Sequence, residues 1–388
     1  MEDRLGDVHD DDWDPRDPSV LDDQRAAYDR MREQCPVAHS EFMAWSIFRH
    51  ADVSAIVADP ATYSSASRHP AIPNGMDPPE HGRYREALAP HFSAAPMAEL
   101  EPRCREIAIE LLEPMLAAGQ AELLDTFAEP FTLRTLCVFL GWPERLWDCL
   151  GGWTHGNQQA AFTRDPAAGR ALAKLLSEHV RANLDAHREA SHEKADRDPA
   201  DLTDTLLTTS VDGTPLEDDQ IVSVLRNWIA GEGTVAGGLS LLVLHLAQQP
   251  QLQDRLRADP SLIPAAVEEI LRYDDPLVAN RRTTTRQVEV GGRTIPAGEN
   301  LTLMWIAANR DPDAFDEPDT IRLDRDTSDS LVWGSGIHVC LGAPLARLQL
   351  RVALEELLAR TSRFGVAGEV RRSVYPSDGL AEFSLRLA

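Results

Sequence analysis

Residues 333–344 read WGSGIHVCLGAP, and Cys340 is the residue in this stretch that carries the most chemistry. Gly334 and Gly336 before the cysteine and Gly342 after it permit a tight loop in which backbone closely approaches a large ligand. Pro344 occupies a position that is favoured in the first turn of a helix. We therefore expect the Cys340 thiolate beside a helix N-terminus, whose partial positive charge and free N–H groups stabilise it. A thiolate held in this way can bind haem iron.

Two other interpretations of the same stretch are weaker. A single cysteine is more often a buried structural thiol, but the surrounding glycines, His338 and the following helix start favour a ligand. The glycines at 334 and 336 do not form a dinucleotide-binding loop, because the third glycine of that motif is missing and no strong parallel strand precedes them.

Outward from this loop, the sequence predicts a mostly helical chain with minor sheet, organised as one domain over residues 1–388, with about residues 1–12 disordered. A hairpin is predicted where Val288–Val290 and Arg293–Ile295 flank two glycines, residues 189–201 read as a solvated loop, and residues 309–339 read as irregular. The predicted long helices are Ala98–Gly119, Ala167–Arg188, Leu216–Gln248, Gln251–Ala258, Ser261–Tyr273 and Ala343–Arg360.

Composition limits the classes of function. The net charge of −25 disfavours nucleic-acid and membrane-surface partners. The five cysteines are scattered and contain no CxxC pair, which fits reduced thiols better than disulfides or a zinc ribbon. The acidic N-terminus does not resemble a signal segment, and no run approaches eighteen apolar residues. We expect a cytoplasmic protein without nucleic-acid or membrane partners.

The loop at residues 333–344 resembles the haem-binding signature of the cytochrome P450 family, with Trp333 in place of the usual phenylalanine. The resemblance spans nearly the whole chain and implies a mainly α fold with small β-sheets. It implies a haem-thiolate monooxygenase with haem b as cofactor and Cys340 as the iron ligand. Gly334 and Gly342 would line the cofactor loop.

Further residues match the family's supporting positions. Glu269 and Arg272 lie three apart on a predicted helix about seventy residues before Cys340, and Arg325 matches the third member of a buried structural network. The alternative for this pair is an exposed helical ion pair that contributes under ~0.5 kcal/mol. The positions that match the partners of the haem propionates are His81, Arg85, Arg282 and His338, with Arg281 competing with Arg282.

On the oxygen-binding side, the resemblance assigns proton delivery to Thr234, in a glycine-rich part of the longest predicted helix. The family usually places an acid immediately before this threonine, where this chain has Gly233, with Glu232 one residue earlier. Glu232 could take part through a local helix distortion, or Thr234 could act with water alone. A third alternative is a weak relay that favours a peroxide-driven reaction. Thr234 could also simply bond back to a helix carbonyl.

Substrate and electron donor are implied only by resemblance. The expected substrate is a small or medium-sized hydrophobic or aromatic molecule that undergoes hydroxylation or O-dealkylation. The segments assigned to its pocket include Ala71 and Leu277, and the residues expected to contact the substrate are Ile72, Ile229, Ala230, Val278 and Ala279.

Looser matches, such as residues 12–18 and 140–143, resemble the subgroup fused to a flavin and iron–sulfur reductase. They leave open an excised haem domain or a stand-alone relative served by a separate ferredoxin or flavin/iron–sulfur reductase. Arg347 and Arg351, four apart, could form a basic dock for such a donor, or be ordinary solvated charges. Three further alternatives remain at this point: a peroxygenase, a non-catalytic haem-thiolate protein, and a helical protein without haem.

Overall fold

The computed structural model describes residues 12–67, 71–192, 201–373 and 379–388. Nearly all of the N-terminal segment predicted to be disordered lies outside these residues. Helices dominate, as the sequence predicts. They are α1 Pro18–Asp22, α2 Gln24–Gln34, α3 His50–Ala58, α4 Glu80–Leu88, α5 Ala94–Ala118, α6 Glu129–Leu140, α7 Trp147–Phe162, α8 Pro166–His192, α9 Leu202–Thr208, α10 Asp218–Gln248, α11 Pro250–Ala258, α12 Ile263–Tyr273, α13 Trp305–Ala308 and α14 Ala343–Arg360.

The strands are short and form four small sheets. They are β1 Val37–Ser40, β2 Ala44–Ile47, β3 Tyr63–Ser64, β4 Gln120–Glu122, β5 Ser210–Val211, β6 Thr214–Pro215, β7 Ala279–Thr284, β8 Val288–Val290, β9 Arg293–Ile295, β10 Asn300–Met304, β11 Phe364–Arg372 and β12 Leu380–Leu387. The largest sheet has the order β1-β2-β10-β7-β3, and β11-β12-β4 form a second sheet. The predicted hairpin is confirmed as β8 and β9, and Gly291 and Gly292 in its turn both have positive φ.

Most of the long predicted helices are confirmed with ends shifted by a few residues. The prediction of a loop from residue 189 is wrong at its start, because α8 continues to His192; residues 193–200 lie outside the described residues. The sequence did not identify α6 and α7, which pack against α10 and position the site. Most residues of α6 are buried, and α7 is rich in glycine and polar residues, so neither helix shows a clear amphipathic stripe.

The central element is α10, 31 residues long and mostly buried in the largest apolar cluster. Its N-terminus carries a capping box, in which Glu217 accepts from the backbone of Gln220 and the Gln220 side chain accepts from the backbone N–H of Glu217. By length and composition this helix could cross a membrane, contrary to the expectation that no segment comes close. However, 67% of its most apolar window is buried within the protein, as in a core helix.

Candidate active site

The cysteine loop places Cys340 just before the N-terminus of α14, which begins at Ala343. The Cys340 N–H donates to the carbonyl oxygen of Trp333 at 2.7 Å, which closes the loop. Gly334 and Gly336 have φ of 69° and 65°, and a Cβ at residue 336 would lie 2.8 Å from the Val57 carbonyl oxygen. Both positions favour glycine because of their positive φ, and position 336 also has no room for a Cβ.

The Cys340 side chain lines a cavity of about 630 Å³ and also borders a second cavity. Burial raises the pKa of the Cys340 thiol, and the backbone N–H groups of Gly342 and Ala343 act in the opposite direction. The expected helix N-terminus is thus present, but its N–H groups do not by themselves make the thiol acidic. Coordination by a metal ion does deprotonate a thiol outright.

Four cationic or imidazole side chains cluster beside this cavity, and two of them, Arg282 and His338, line it. His81 and Arg85 lie one turn apart on α4, and the His81 and His338 rings are 4.2 Å apart between centroids. Burial, His81, Arg282 and Arg85 together lower the pKa of His338 to about 4. Burial lowers the pKa of His81 as well, with a smaller contribution from Arg85. Arg85 and Arg282 supply positive charge there and the two imidazoles can donate hydrogen bonds, which together suit an anion.

The strand register separates the two competing arginines. Arg281 and Arg282 are neighbours on β7, so their side chains point to opposite faces. Arg281 is exposed, whereas burial lowers the pKa of the Arg282 guanidinium. Of these two arginines, it is Arg282 that lowers the pKa of His338. The structure therefore supports Arg282. Asp77, which the sequence did not single out, is the acidic neighbour of this cluster and holds Ser65 N–H at 2.8 Å.

The predicted Glu269–Arg272–Arg325 network is present and buried. Arg272 donates from Nε and Nη2 to the two carboxylate oxygens of Glu269 at 2.8 and 3.0 Å, and Arg325 Nε donates to Glu269 Oε1 at 2.9 Å. The remaining donors of the two guanidinium groups reach main-chain carbonyls in residues 309–320, namely those of Asn309, Asp316, Glu317, Pro318 and Thr320. An exposed helical ion pair is excluded, since the Arg272 side chain is 0% exposed.

On the opposite side of the cavity, α10 contributes Gly231, Glu232 and Thr234 to the wall. The helix is continuous through these residues, so the alternative that needs a local distortion does not hold, and Glu232 lines the cavity without one. Within the described part of the chain, the Thr234 hydroxyl makes no hydrogen bond, whereas Thr154 and Ser240 bond back to helix carbonyls. The alternative of a back-bonded Thr234 therefore does not hold.

Gly233 faces away from the cavity, toward α7. A Cβ at this position would lie 2.8 Å from Thr154 Cγ2 and 3.2 Å from Gln158 Nε2. The position where the resemblance expects an acid is thus sterically closed here. Glu232 instead is 4% exposed, and burial raises its pKa to about 8, with a hydrogen bond from Gln349 acting to lower it.

This packing predicts opposite effects for two chemically identical substitutions. In the haem-free protein, Gly231→Ala should stabilise α10 by up to ~1 kcal/mol, because none of the described protein atoms lies within 4 Å of the added Cβ. Gly233→Ala should destabilise the protein by roughly 1–3 kcal/mol through contact with Thr154 Cγ2. Urea unfolding of both variants measures the difference. Thr154→Ser, which removes the methyl but keeps the hydroxyl, should restore Gly233→Ala; equal stability of all variants would contradict this packing.

The predicted substrate contacts are only partly correct. Ala279 lines the cavity, as do the neighbouring Ala71 and Leu277. Ile229 and Val278 are fully buried in separate apolar clusters and do not line it. Ala230 packs against the main apolar cluster, and Ile72 lies against α10 through a hydrogen bond from Asn227 to its carbonyl.

The wall opposite Cys340 is more polar than the sequence suggested. The residues of α10 that line the cavity here are Asn227, Trp228 and Val235, rather than the predicted Ile229 and Ala230. The polar side chains that border the cavity on this side are Ser65, Ser67, Asn74, Asn227, Asn280 and Arg281. The signal was present on one face of α10 and in the successive residues 279–282 of β7, but which residues reach the cavity depends on the fold.

Arg347 and Arg351 both have acidic partners within the protein. Arg347 donates to Glu268 at 2.7 Å and lies 4.6 Å over the ring of Trp333, whose Nε1 donates to the same carboxylate at 2.8 Å. Arg351 pairs with Glu101 and Glu355. The two arginines therefore do not form the free basic dock that their spacing suggested.

Comparisons with known proteins agree with this geometry. A family profile described as Cytochrome P450 matches residues 167–366. Erythromycin C-12 hydroxylase of Saccharopolyspora erythraea is 36% identical over 87% of this chain and 86% of its own length. Cyclomarin C epoxidase CymV of Salinispora arenicola is 33% identical over 92% and 94%. The solved structure of a mutant of P450 EryK in complex with erythromycin B superposes with a TM-score of 0.85 and 31% identity, covering 95% of this chain and 97% of that one.

Proposed function

The chain belongs to the cytochrome P450 family and is a haem-thiolate monooxygenase, and from this premise we propose which residues carry its reaction and what it acts on. The observation that supports the site most directly is that Cys340, Arg282 and His338 line one cavity, with His81 and Arg85 beside His338. We further propose that the chain forms one haem-binding domain in the cytoplasm. Fusion to a reductase, as in the subgroup with looser matches, does not follow from these relatives.

The residues present fit a haem. His81 and His338 each leave Nε2 buried and without a partner among the described residues, beside two arginines, so propionate oxygens would complete their hydrogen bonding. Gly231, Gly334 and Gly342 keep their backbones close to the cavity, with no side chain in the way. When bound through Cys340, the haem supplies oxygen activation, which the thiolate promotes by donating electron density.

We assign proton delivery to Thr234 and Glu232. The Thr234 hydroxyl is free to hydrogen-bond into the cavity, and Glu232 is kept neutral at pH 7 by burial, so it can give up a proton. The proton-bearing form of Glu232 is lost as pH rises through about 8. Product formation is therefore expected to fall on the alkaline side of that value.

Glu232→Gln and Thr234→Ala test this assignment. Both variants should keep the thiolate-type spectrum but lose roughly 100-fold in product formed with O2 and a reductase. Glu232→Gln should also lose the alkaline fall near pH 8, which Thr234→Ala should retain. Unchanged turnover in Glu232→Gln would contradict the assignment. Product formed with peroxide but with no reductase would instead support the peroxygenase alternative that the glycine at position 233 raises.

For the substrate we propose a small or medium-sized organic molecule with a hydrophobic or aromatic reacting portion and hydrogen-bonding groups at its far end. Trp228, Leu277 and Ala279 supply apolar surface, and Asn74 and Asn280 supply polar groups. Relatives named for erythromycin, cyclomarin C and vitamin D(3) do not agree on one compound. Screening hydroxylated against unsubstituted compounds for spectral shifts of the haem tests this; tighter binding of the unsubstituted set would contradict it.

We also propose that a ferredoxin or a flavin/iron–sulfur reductase supplies electrons from the Cys340 side. There a second cavity is bordered by Arg85, Val339 and Cys340 itself, and Val339 is an exposed apolar side chain. Arg347 and Arg351 contribute less than free cations would, because both are paired.

A further inference from the structure

Glu232 lies on the cavity wall with few polar neighbours. Its described hydrogen-bond partner is Gln349 of α14, which donates from Nε2 to Glu232 Oε2 at 3.1 Å. No described lysine, arginine or histidine lies within ion-pair distance of this carboxyl. From α6 the titratable group facing it is Cys137, whose pKa burial raises to about 12, so it stays a neutral thiol. Gln349 is therefore the polar group that orients the Glu232 carboxyl.

Gln349 itself is held in one orientation. It is fully buried, and Nε2 also donates to the Thr132 carbonyl oxygen of α6 at 3.1 Å. Rotating the amide by a half-turn would place two acceptor oxygens against each other at Thr132, which costs a buried hydrogen bond. Gln349 Oε1 is buried and has no donor among the described residues. The amide thus joins α6, α10 and α14 and leaves one acceptor beside a carboxyl that carries a proton.

We propose that Gln349 is a positioning residue, which holds the carboxyl of Glu232 at the cavity wall so that its proton is available next to Thr234. This rests on the proposed role of Glu232 in proton delivery. Because the position before Thr234 is closed by Thr154 and Gln158, no side chain can deliver a proton from residue 233. Instead, Gln349 of α14, which is also hydrogen-bonded to α6, orients the acid at position 232.

Gln349→Met tests the role in the haem-loaded enzyme, since methionine has similar volume and no hydrogen-bonding amide. Losing the Gln349 hydrogen bond removes what lowers the pKa of Glu232, so the alkaline fall in product formation should move above its wild-type position near pH 8. The fraction of reductant converted to product should drop roughly tenfold. A structural defect alone would not shift that pH dependence.

Infrared difference spectroscopy gives a readout independent of activity. Glu232→Gln should remove a protonated-carboxyl C=O band, and Gln349→Met should move that band to higher frequency, because the carbonyl loses a hydrogen bond. Gln253→Met is the matched control: Gln253 is also fully buried and donates to two carbonyls, Leu246 and Phe364, but lies away from the cavity. It should lower stability without altering the band or the pH dependence.

A double-mutant cycle separates the two proposals. Gln349→Met should impair product formation in the wild-type background and add nothing to Glu232→Gln. An effect of equal size in both backgrounds would overturn the role of Gln349 while leaving Glu232 in place. No effect of Glu232→Gln alone would remove the proposed function of the acid itself. If Gln349→Met does not load haem, Gln349→Asn, which keeps the amide but shortens it, serves the same cycle.

Discussion

Cys340→Ala should abolish the thiolate-type absorption band of the reduced, carbon monoxide-bound protein, together with all product formation. No other sulfur can take over the ligand position, because Cys340 is the cysteine that lines the cavity among the described residues. The His81–Arg85–Arg282–His338 cluster remains in the variant, so some haem can still bind at its propionate edge. We expect a residual Soret band of a different type rather than an apoprotein alone.

Cys149→Ala is the matched control for the loss of a thiol. Cys149 is exposed on α7, with its Sγ 3.7 Å from His179 Nε2, and lies outside the cavity. Its spectrum and turnover should equal those of the wild type. A Cys340→Ala protein that retains the thiolate-type band would show that another residue is the ligand.

The cysteine loop could be predicted from the sequence because its determinants are local. Gly334 and Gly336 are required by their own φ values, and Cys340 and Pro344 both lie within one helical turn of the start of α14. The α4 pair is similar, since the i,i+4 spacing of His81 and Arg85 fixes a common face. Spacing within one element carries this information without any knowledge of the fold.

Contacts between elements could not be predicted in this way. The choice between Arg281 and Arg282 depends on which face of β7 meets the cavity, and a shift of one residue reverses it. The predicted substrate contacts were partly wrong for the same reason. Ile229 and Asn227 are both on α10, but only Asn227 lines the cavity. Gln349 lies 117 residues from Glu232 along the chain, and no local pattern connects them.

The second large effect is expected from Glu269→Gln, which leaves two buried guanidinium groups without their carboxylate. Arg272 and Arg325 are 0% and 7% exposed, so neither charge can be solvated in place. Removing one partner from a buried ionic network costs about 3–5 kcal/mol. That is a large part of the 5–15 kcal/mol typical of a domain, so we expect little folded, haem-loaded protein at 37 °C.

The adjacent residue provides the control. Glu268 lies beside Glu269 on α12, but Glu268→Gln affects a partly exposed ion pair with Arg347, whose side chain is 48% exposed. Its effect on the free energy of unfolding should be at most ~1 kcal/mol. Urea unfolding followed by far-UV circular dichroism, with haem content measured in parallel, compares the two variants. Equal stability of Glu269→Gln and Glu268→Gln would contradict a buried structural role for the network.

Replacing the whole network by apolar residues should not rescue the fold, although such replacement is often neutral or stabilising for buried ion pairs. Here the guanidinium groups also satisfy the main-chain carbonyls of Asn309, Asp316, Glu317, Pro318 and Thr320. An apolar triple variant, Glu269→Met with Arg272→Leu and Arg325→Leu, removes the unpaired charge but leaves these carbonyls without donors. Asn309 is fully buried, and a buried acceptor left unsatisfied costs about 1–3 kcal/mol, whereas the carbonyls of the exposed Asp316, Glu317 and Thr320 can bond to water. A triple variant as stable as the wild type would show that neither the ion pairing nor the anchoring of the segment before the cysteine loop adds net stability.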